Sequence, residues 1–242
     1  HLSVLDVGSG EAILIQTPSG RNVLVGGGPS PSALGDALGR RLPLGHRRLD
    51  WLVVGGVEES HIGALPASLE RFPPDQVLWS GAPLGTASAR RLQQELGRMG
   101  IPIHSAQTGQ VLDLGAGAQL HVLAVTSRGA VFLLEYDSFR VLLPIGIDFE
   151  QLESLGRDVR LSQLTALLLA DSGYAPLNPP EWIDDLQPEL VLLSVGAGDK
   201  NGLPDPETLQ AVQGLNLLRT DRNGWIHLST DGEQLRVEVE RK

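Results

Sequence analysis

The sequence predicts an α/β (α+β) protein, a four-layer αββα sandwich with two facing β-sheets and helices outside. Three observations predict it. Two β-rich stretches follow one another along the chain, each accompanied by helix-forming segments. Several strands, such as Leu49–Val54 and residues 190–195, are continuous apolar runs, the mark of strands covered on both faces. No stretch between them reads as a linker, so residues 1–242 are expected to form a single domain.

Residues 3–7 and 12–16 are strand-like and are separated by Gly8-Ser9-Gly10. Pro18-Ser19-Gly20 signals a turn, and residues 22–25 complete an antiparallel meander. The meander ends at Gly26-Gly27-Gly28-Pro29, where three glycines mean either flexibility or a backbone passing close to something. Residues 32–41 form a helix, Leu49–Val54 a buried strand, and residues 64–70 a second helix after a Gly-rich turn. Another strand covers residues 76–79. Residues 86–99 make an amphipathic helix with Leu92, Leu96 and Met99 on one face.

From Gln110 the pattern turns β-rich. Residues 119–125, 130–136 and 139–143 read as antiparallel strands, the last two joined at Asp137-Ser138. Residues 166–170 and 190–195 are short buried strands, with a Pro-rich helix start at Pro179-Pro180-Glu181 between them. Residues 206–212 form a helix with Pro in its first turn. Strands at 215–219, 224–229 and 234–240 close the chain.

Composition narrows the function classes. An apolar fraction of 41% with 20% charged residues is that of an ordinary globule. No apolar run reaches the roughly 18 residues of a membrane span. The chain opens in strand-like sequence without a Met, as expected of a domain excised from something longer. The lack of cysteine excludes disulfides and thiolate metal sites. A net charge of −10 disfavours general affinity for phosphate backbones. The best basic cluster is Arg40-Arg41 with His46-Arg47-Arg48, where Arg40, Arg41, Arg47 and Arg48 are candidate DNA contacts set against a solvated loop face. There is no Gly-x-Ser-x-Gly elbow and no phosphate-binding Gly-Lys-Ser/Thr loop.

The run Leu5-Asp6-Val7-Gly8-Ser9-Gly10-Glu11-Ala12-Ile13-Leu14-Ile15 resembles the opening of the metallo-β-lactamase-like domain of ComEC-type competence proteins, bacterial membrane channels for DNA uptake. Their usual opening is Leu-Asp-Val-Gly-Gln-Gly-Asp-Ala. The resemblance continues at Thr17-Pro18-Ser19-Gly20, Gly27-Gly28-Pro29 and His61-Ile62-Gly63-Ala64-Leu65-Pro66. It returns at Ser194-Val195-Gly196-Ala197-Gly198 and Leu218-Arg219-Thr220-Asp221-Arg222-Asn223-Gly224. Each motif is modest alone, but the ordered set covers essentially the whole chain.

The resemblance implies a metal site at strand ends, built in complete members from a His-x-His-x-Asp-His motif that holds one or two ions. Aligned on His61, the two other histidines fall on Gly56 and Glu58, and the Asp falls on Ser60. The acid of an earlier Asp-Gly-Gly turn falls on Gly26. A Gly-Asp falls on Gly146-Ile147, with Asp148 one residue late. A His-His-Gly-Ser falls on Asp171-Ser172-Gly173-Tyr174, and a Gly-His-Pro-His-Pro on Gly202-Leu203-Pro204-Asp205-Pro206. Gly56, Glu58, Ser60, His61, Asp171, Ser172 and Leu203 are thus vestigial site positions. No catalytic residue and no cofactor is expected, although active relatives use Zn²⁺ or Mn²⁺. A site rebuilt from His61, Glu58, Asp148 and Asp171 would be oxygen-rich and would favour Mn²⁺ or Mg²⁺ over Zn²⁺.

Each of these residues also has a plain structural role. His61 suits a helix start or an internal hydrogen bond. Glu58 and Glu59 precede a helix, where acids complement its dipole. Asp171-Ser172 before Gly173 is good turn chemistry, and Asp205 suits a helix cap. The resemblance therefore implies a catalytically inactive structural or binding module of a DNA-uptake channel protein. Its partners would be the parent's membrane channel and N-terminal domains, and weakly DNA. It would lie on the extracytoplasmic face of the inner or plasma membrane. The alternative is a metal-dependent nuclease or phosphodiesterase that degrades the non-transported strand.

Overall fold

The structure is a computed structural model that describes residues 1–43, 45, 47–155 and 161–241. The first half of the chain builds β1 (Leu2–Val4), β2 (Ala12–Gln16), β3 (Asn22–Gly26), β4 (Leu49–Val54), β5 (Pro74–Trp79) and β6 (Ile103–Ser105). The second half builds β7 (Val111–Gly115), β8 (Ala118–Val125), β9 (Ala130–Tyr136), β10 (Phe139–Leu143), β11 (Ala166–Leu168), β12 (Leu190–Leu193) and β13 (Leu217–Arg219). The chain then returns to the first sheet with β14 (Ile226–Thr230) and β15 (Leu235–Val239). The sheet orders are β15-β14-β1-β2-β3-β4-β5-β6 and β13-β12-β11-β10-β9-β8-β7. β3 to β6 run parallel, as do β10 to β13; the remaining pairs are antiparallel.

Helices are α1 (Pro31–Arg41), α2 (Glu59–Ile62), α3 (Leu65–Ser68), α4 (Ala87–Arg98), α5 (Phe149–Leu155), α6 (Pro180–Leu186), α7 (Pro206–Ala211) and α8 (Thr220–Asn223). The period of two in each strand sorts its side chains into layers. In β2, Ile13 and Ile15 join the central core between the sheets, whereas Ala12 and Leu14 pack under α1, α3 and α4. In β10, Val141 and Leu143 enter the central core and Leu142 faces the layer of α5 and α6. The central strands β2 to β4 and β9 to β12 are thereby largely buried on both faces, which is why they read as apolar runs, whereas β6, β7 and β15 at the sheet edges stay exposed on at least one face. This is the expected αββα sandwich.

Several boundaries differ from expectation. The first strand stops at Val4, because Gly8 and Gly10 turn the chain out at φ 90° and 125°. The helix expected over 64–70 is confined to Leu65–Ser68, and the strand expected over 190–195 ends at Leu193. Asp205 sits at the start of α7, but its carboxylate does not cap the helix; it accepts from the Ala175 N–H at 2.7 Å. His46, part of the basic cluster, lies outside the described residues. Among the described residues no helix is long and apolar enough to cross a membrane.

Candidate functional site

The loops that follow β1, β4, β8, β11 and β12 meet at one end of the sandwich. Close backbone approaches bring them together. A Cβ on Gly10 would stand 1.8 Å from the Ser60 carbonyl oxygen, and one on Gly26 2.4 Å from that of Glu11. The His61 carbonyl accepts from the N–H groups of Gly27 and Gly28 at 2.7 and 3.1 Å. Of the two roles left open for the glycine run, close approach is therefore the one it plays. A second approach joins the sheets: Gly56 pairs with Gly129, and a Cβ on Gly129 would lie 2.0 Å from the Gly55 carbonyl oxygen. The Ala130 N–H donates to that carbonyl at 2.8 Å, and the Val57 N–H to the Arg128 carbonyl at 3.0 Å. The β8–β9 turn is thus pressed against the end of β4, with Arg128 at its tip.

Two ionic clusters result. The deeper joins His61 and Glu11, which are 3% and 1% exposed. Nδ1 of the imidazole touches Oε2 of Glu11, and neither atom has another polar partner. Burial acts to lower the His61 pKa, but the charges of Glu11, Asp171 and Glu58 outweigh it and hold the imidazole above its ordinary value. The ring lies against Gly56, where a Cβ would be 2.8 Å from it. The first expected ligand position is therefore filled by the imidazole of the fourth.

The shallower cluster centres on Arg128. Its Nε donates to Glu58 Oε1 at 3.0 Å, its Nη2 to Asp171 Oδ2 at 2.6 Å, and its Nη1 to the Ile147 carbonyl at 3.2 Å. Burial opposes its charge, but the two carboxylates hold its pKa above the ordinary arginine value. Burial raises the Asp171 pKa, and the Arg128 hydrogen bond only partly offsets this. Asp171 and Ser172 adopt left-handed φ values of 44° and 53°, a conformation that costs on the order of 1–3 kcal/mol per residue and turns the acid toward Arg128. The clusters meet where His61 Nε2 approaches Asp171 Oδ1 at 4.0 Å.

A cavity of about 370 Å³ opens over both clusters and is lined by Glu11, Glu58, Ser60, His61, Asp171, Ser172 and Leu203. Six of the seven expected site positions thus lie in or beside one cavity, and Gly56 backs the His61 ring. Asp148 does not join them. Its carboxylate accepts from the Gln151 N–H at 2.9 Å and starts α5, which corrects its place among the metal candidates. On the far wall Asp199 accepts from the Ser9 hydroxyl and from the Asn201 and Leu203 N–H groups. Burial pushes its pKa up, but these bonds hold it below the usual carboxylate range.

Sequence reasoning missed the roles of Glu11 and Arg128. Glu11 had a signal, since it stands where related openings carry Asp. Arg128 had none, because Ser127-Arg128-Gly129 reads only as a hairpin turn. Three arginines of the basic cluster have partners within the fold. Arg40 pairs with Glu240 at 3.4 Å, and the Arg48 Nε donates to Asp75 at 2.9 Å. Arg41 stacks 3.9 Å over the Trp225 ring and donates to Ser3 Oγ at 3.3 Å. Arg47 is exposed.

This architecture is the metallo-β-lactamase fold. The Zn²⁺-bound PqqB of Methylobacterium extorquens superposes with a TM-score of 0.61 at 11% identity, covering 90% of this chain and 98% of that one. The metallo-β-lactamase fold protein YhfI of Bacillus subtilis gives 0.58 at 14% identity, covering 90% and 97%. CmlA, a diiron β-hydroxylase of Streptomyces venezuelae, gives 0.55 at 15%, covering 90% and 52%. In sequence, the chain is similar to ComE operon protein 3 of Bacillus subtilis strain 168, with 21% identity over 252 residues. That match covers 93% of this chain but 32% of the relative, so the chain spans about a third of that protein's length. No family model matches the chain.

These likenesses correct the expectation that no cofactor belongs here. Proteins of this fold include one that binds Zn²⁺ and one that holds two irons, so the non-histidine residues at the expected ligand positions do not by themselves establish a domain without a cofactor. The side chains as arranged nevertheless do not fit such a centre. Among the described residues no group of three or more His, Asp or Glu is disposed to hold an ion. Glu58 and Asp171 are spent on Arg128, and the Nδ1 edge of His61 on Glu11.

Proposed function

We propose that residues 1–242 are one metallo-β-lactamase-like domain of a ComEC-type DNA-uptake protein and that the domain serves there as a non-hydrolytic structural or binding module. The likeness to ComE operon protein 3 over 93% of the chain supports the context. One observation carries the non-hydrolytic reading. His61, the imidazole retained in the metal-binding frame, is turned onto a buried carboxylate and fills the space before Gly56. A hydrolytic metal centre needs three protein ligands around an open position, and the two carboxylates nearest His61, Glu58 and Asp171, are both taken by Arg128. The partners in this reading are the membrane channel and N-terminal domains of the parent, on the extracytoplasmic side. Direct DNA contact through Arg40, Arg41, Arg47 and Arg48 is disfavoured, because three of the four are engaged within the fold.

The test is cleavage of single- and double-stranded DNA by the purified domain with Mn²⁺ or Zn²⁺ added. Background rates support the reading. Metal-dependent cleavage that disappears in His61→Ala and Asp171→Asn overturns it in favour of a phosphodiesterase with a rebuilt site.

A further inference from the structure

We propose that the mouth of the cavity docks a basic, apolar-flanked peptide segment of a partner protein. An arginine or lysine side chain of that segment enters beside Asp199 and Asp205, and its apolar neighbours rest on Tyr174 and Phe149. The proposal rests on the reading of the domain as a binding module and names the chemistry of what it binds.

Charge carries the first part of the argument. Glu11, Glu58, Asp171, Asp199 and Asp205 line the cavity. Against these five carboxylates stand two cations, His61 and the Arg128 that bridges Glu58 and Asp171. Asp199 and Asp205 have no cationic partner among the described residues. Asp199 accepts from the Ser9 hydroxyl and two backbone N–H groups, and Asp205 from the Ala175 N–H. Such bonds orient a carboxylate and leave its charge in place. The cavity therefore attracts a cationic group and repels a phosphate.

The surface around the mouth supplies the apolar part. Among the described residues the two most exposed large apolar side chains are Leu84 and Phe149, at 64% and 63%. Both belong to loops held against the β8–β9 turn. The Ala82 N–H donates to the Ser127 carbonyl at 2.8 Å, and the Arg128 Nη1 to the Ile147 carbonyl at 3.2 Å. Tyr174 is also exposed and lines the cavity itself. Apolar side chains around a charged recess are the setting in which a basic anchor is surrounded by contacts that exclude water.

His61 points to a peptide as the carrier of that cation. It is buried to within 3% of its surface and lines the cavity. Its Nδ1 edge is fixed on Glu11, while Nε2 has no hydrogen-bond partner and stands 4.0 Å from Asp171 Oδ1. The surrounding carboxylates favour the protonated ring, so Nε2 offers an N–H to the cavity. A donor so deep calls for an acceptor. A main-chain carbonyl of a docked segment supplies one, and a free cation does not.

The experiment is selection of a phage-displayed random peptide library on the immobilised wild-type domain. Synthetic copies of the enriched peptides are then titrated by fluorescence anisotropy against wild type and variants, with folding checked by circular dichroism. The enriched peptides are expected to share an arginine or lysine beside aromatic or aliphatic residues. Their affinity should fall at least about tenfold in the Asp199→Asn, Asp205→Asn double variant, which removes charge and keeps acceptor oxygens. It should fall about fivefold in Phe149→Ser, and that exposed position keeps the test decisive if the double variant fails to fold. A single-stranded DNA oligonucleotide should not displace the peptide. No enrichment, enriched peptides without a basic residue, affinity unchanged in the folded variants, or displacement by the oligonucleotide overturns the proposal. DNA cleavage by the wild-type domain would overturn the non-hydrolytic reading instead, and peptide binding is read separately from it.

Discussion

The Glu11–His61 pair and the Arg128–Glu58–Asp171 triad lie side by side at one end of the sandwich, yet they differ in depth. The pair is buried to within 3% of its surface, whereas Arg128 is 31% and Glu58 45% exposed. Depth sets what each cluster contributes. A buried pair has no water to replace a lost partner, so it is costly to break. A half-exposed triad is screened by solvent and contributes less to stability. The same framework therefore holds one ionic contact that is costly to break and another that contributes far less.

The largest expected effect breaks the deeper pair. His61→Ala should destabilise the fold by about 3–5 kcal/mol in urea unfolding, since it strands the Glu11 carboxylate without water. A loss under about 1 kcal/mol would mean that the pair is no deeper in its energetics than the triad.

Next is Gly56→Ala, which places a methyl 2.8 Å from the His61 ring. Overpacking of this kind should cost about 1–3 kcal/mol. An unchanged unfolding midpoint would show that the ring is free to move.

The pH dependence sharpens the contrast further. The folded His61 pKa is raised, so its contribution is complete below the unfolded value of about 6.5 and is lost as pH rises through the folded value. The stability gap between wild type and Glu11→Gln should therefore be widest in mild acid and narrow with increasing pH. A gap that widens with pH would reverse the assignment of the proton.

The smallest effect concerns the triad. Arg128→Gln should cost only about 1 kcal/mol in urea unfolding, discounted for its exposure, and a loss as large as that of His61→Ala would show that the triad is as deep in its energetics as the pair.

Much of the frame was legible before any coordinates. The period-two alternation and the doubly apolar runs identify the two sheets, because burial on both faces leaves no room for polar side chains. Gly10, Gly27 and Gly28 mark the loops that pass one another closely, and the positions of Glu58, His61, Asp171 and Leu203 around one cavity follow from the ordered motifs. The lone His61 was legible as a residue but not as a contact. Its partner Glu11 is 50 positions away in sequence and is brought beside it by the fit of Gly10 against Ser60.

The sequence by itself determined the layers and the strand directions at the meander, since each depends on local pattern or residue identity. Only the tertiary structure decided the occupancy of the site. Arg128 reaches Glu58 and Asp171 because Gly55, Gly56 and Gly129 let two strands' backbones touch. Such a contact depends on packing between distant segments, and no periodicity along the chain encodes it.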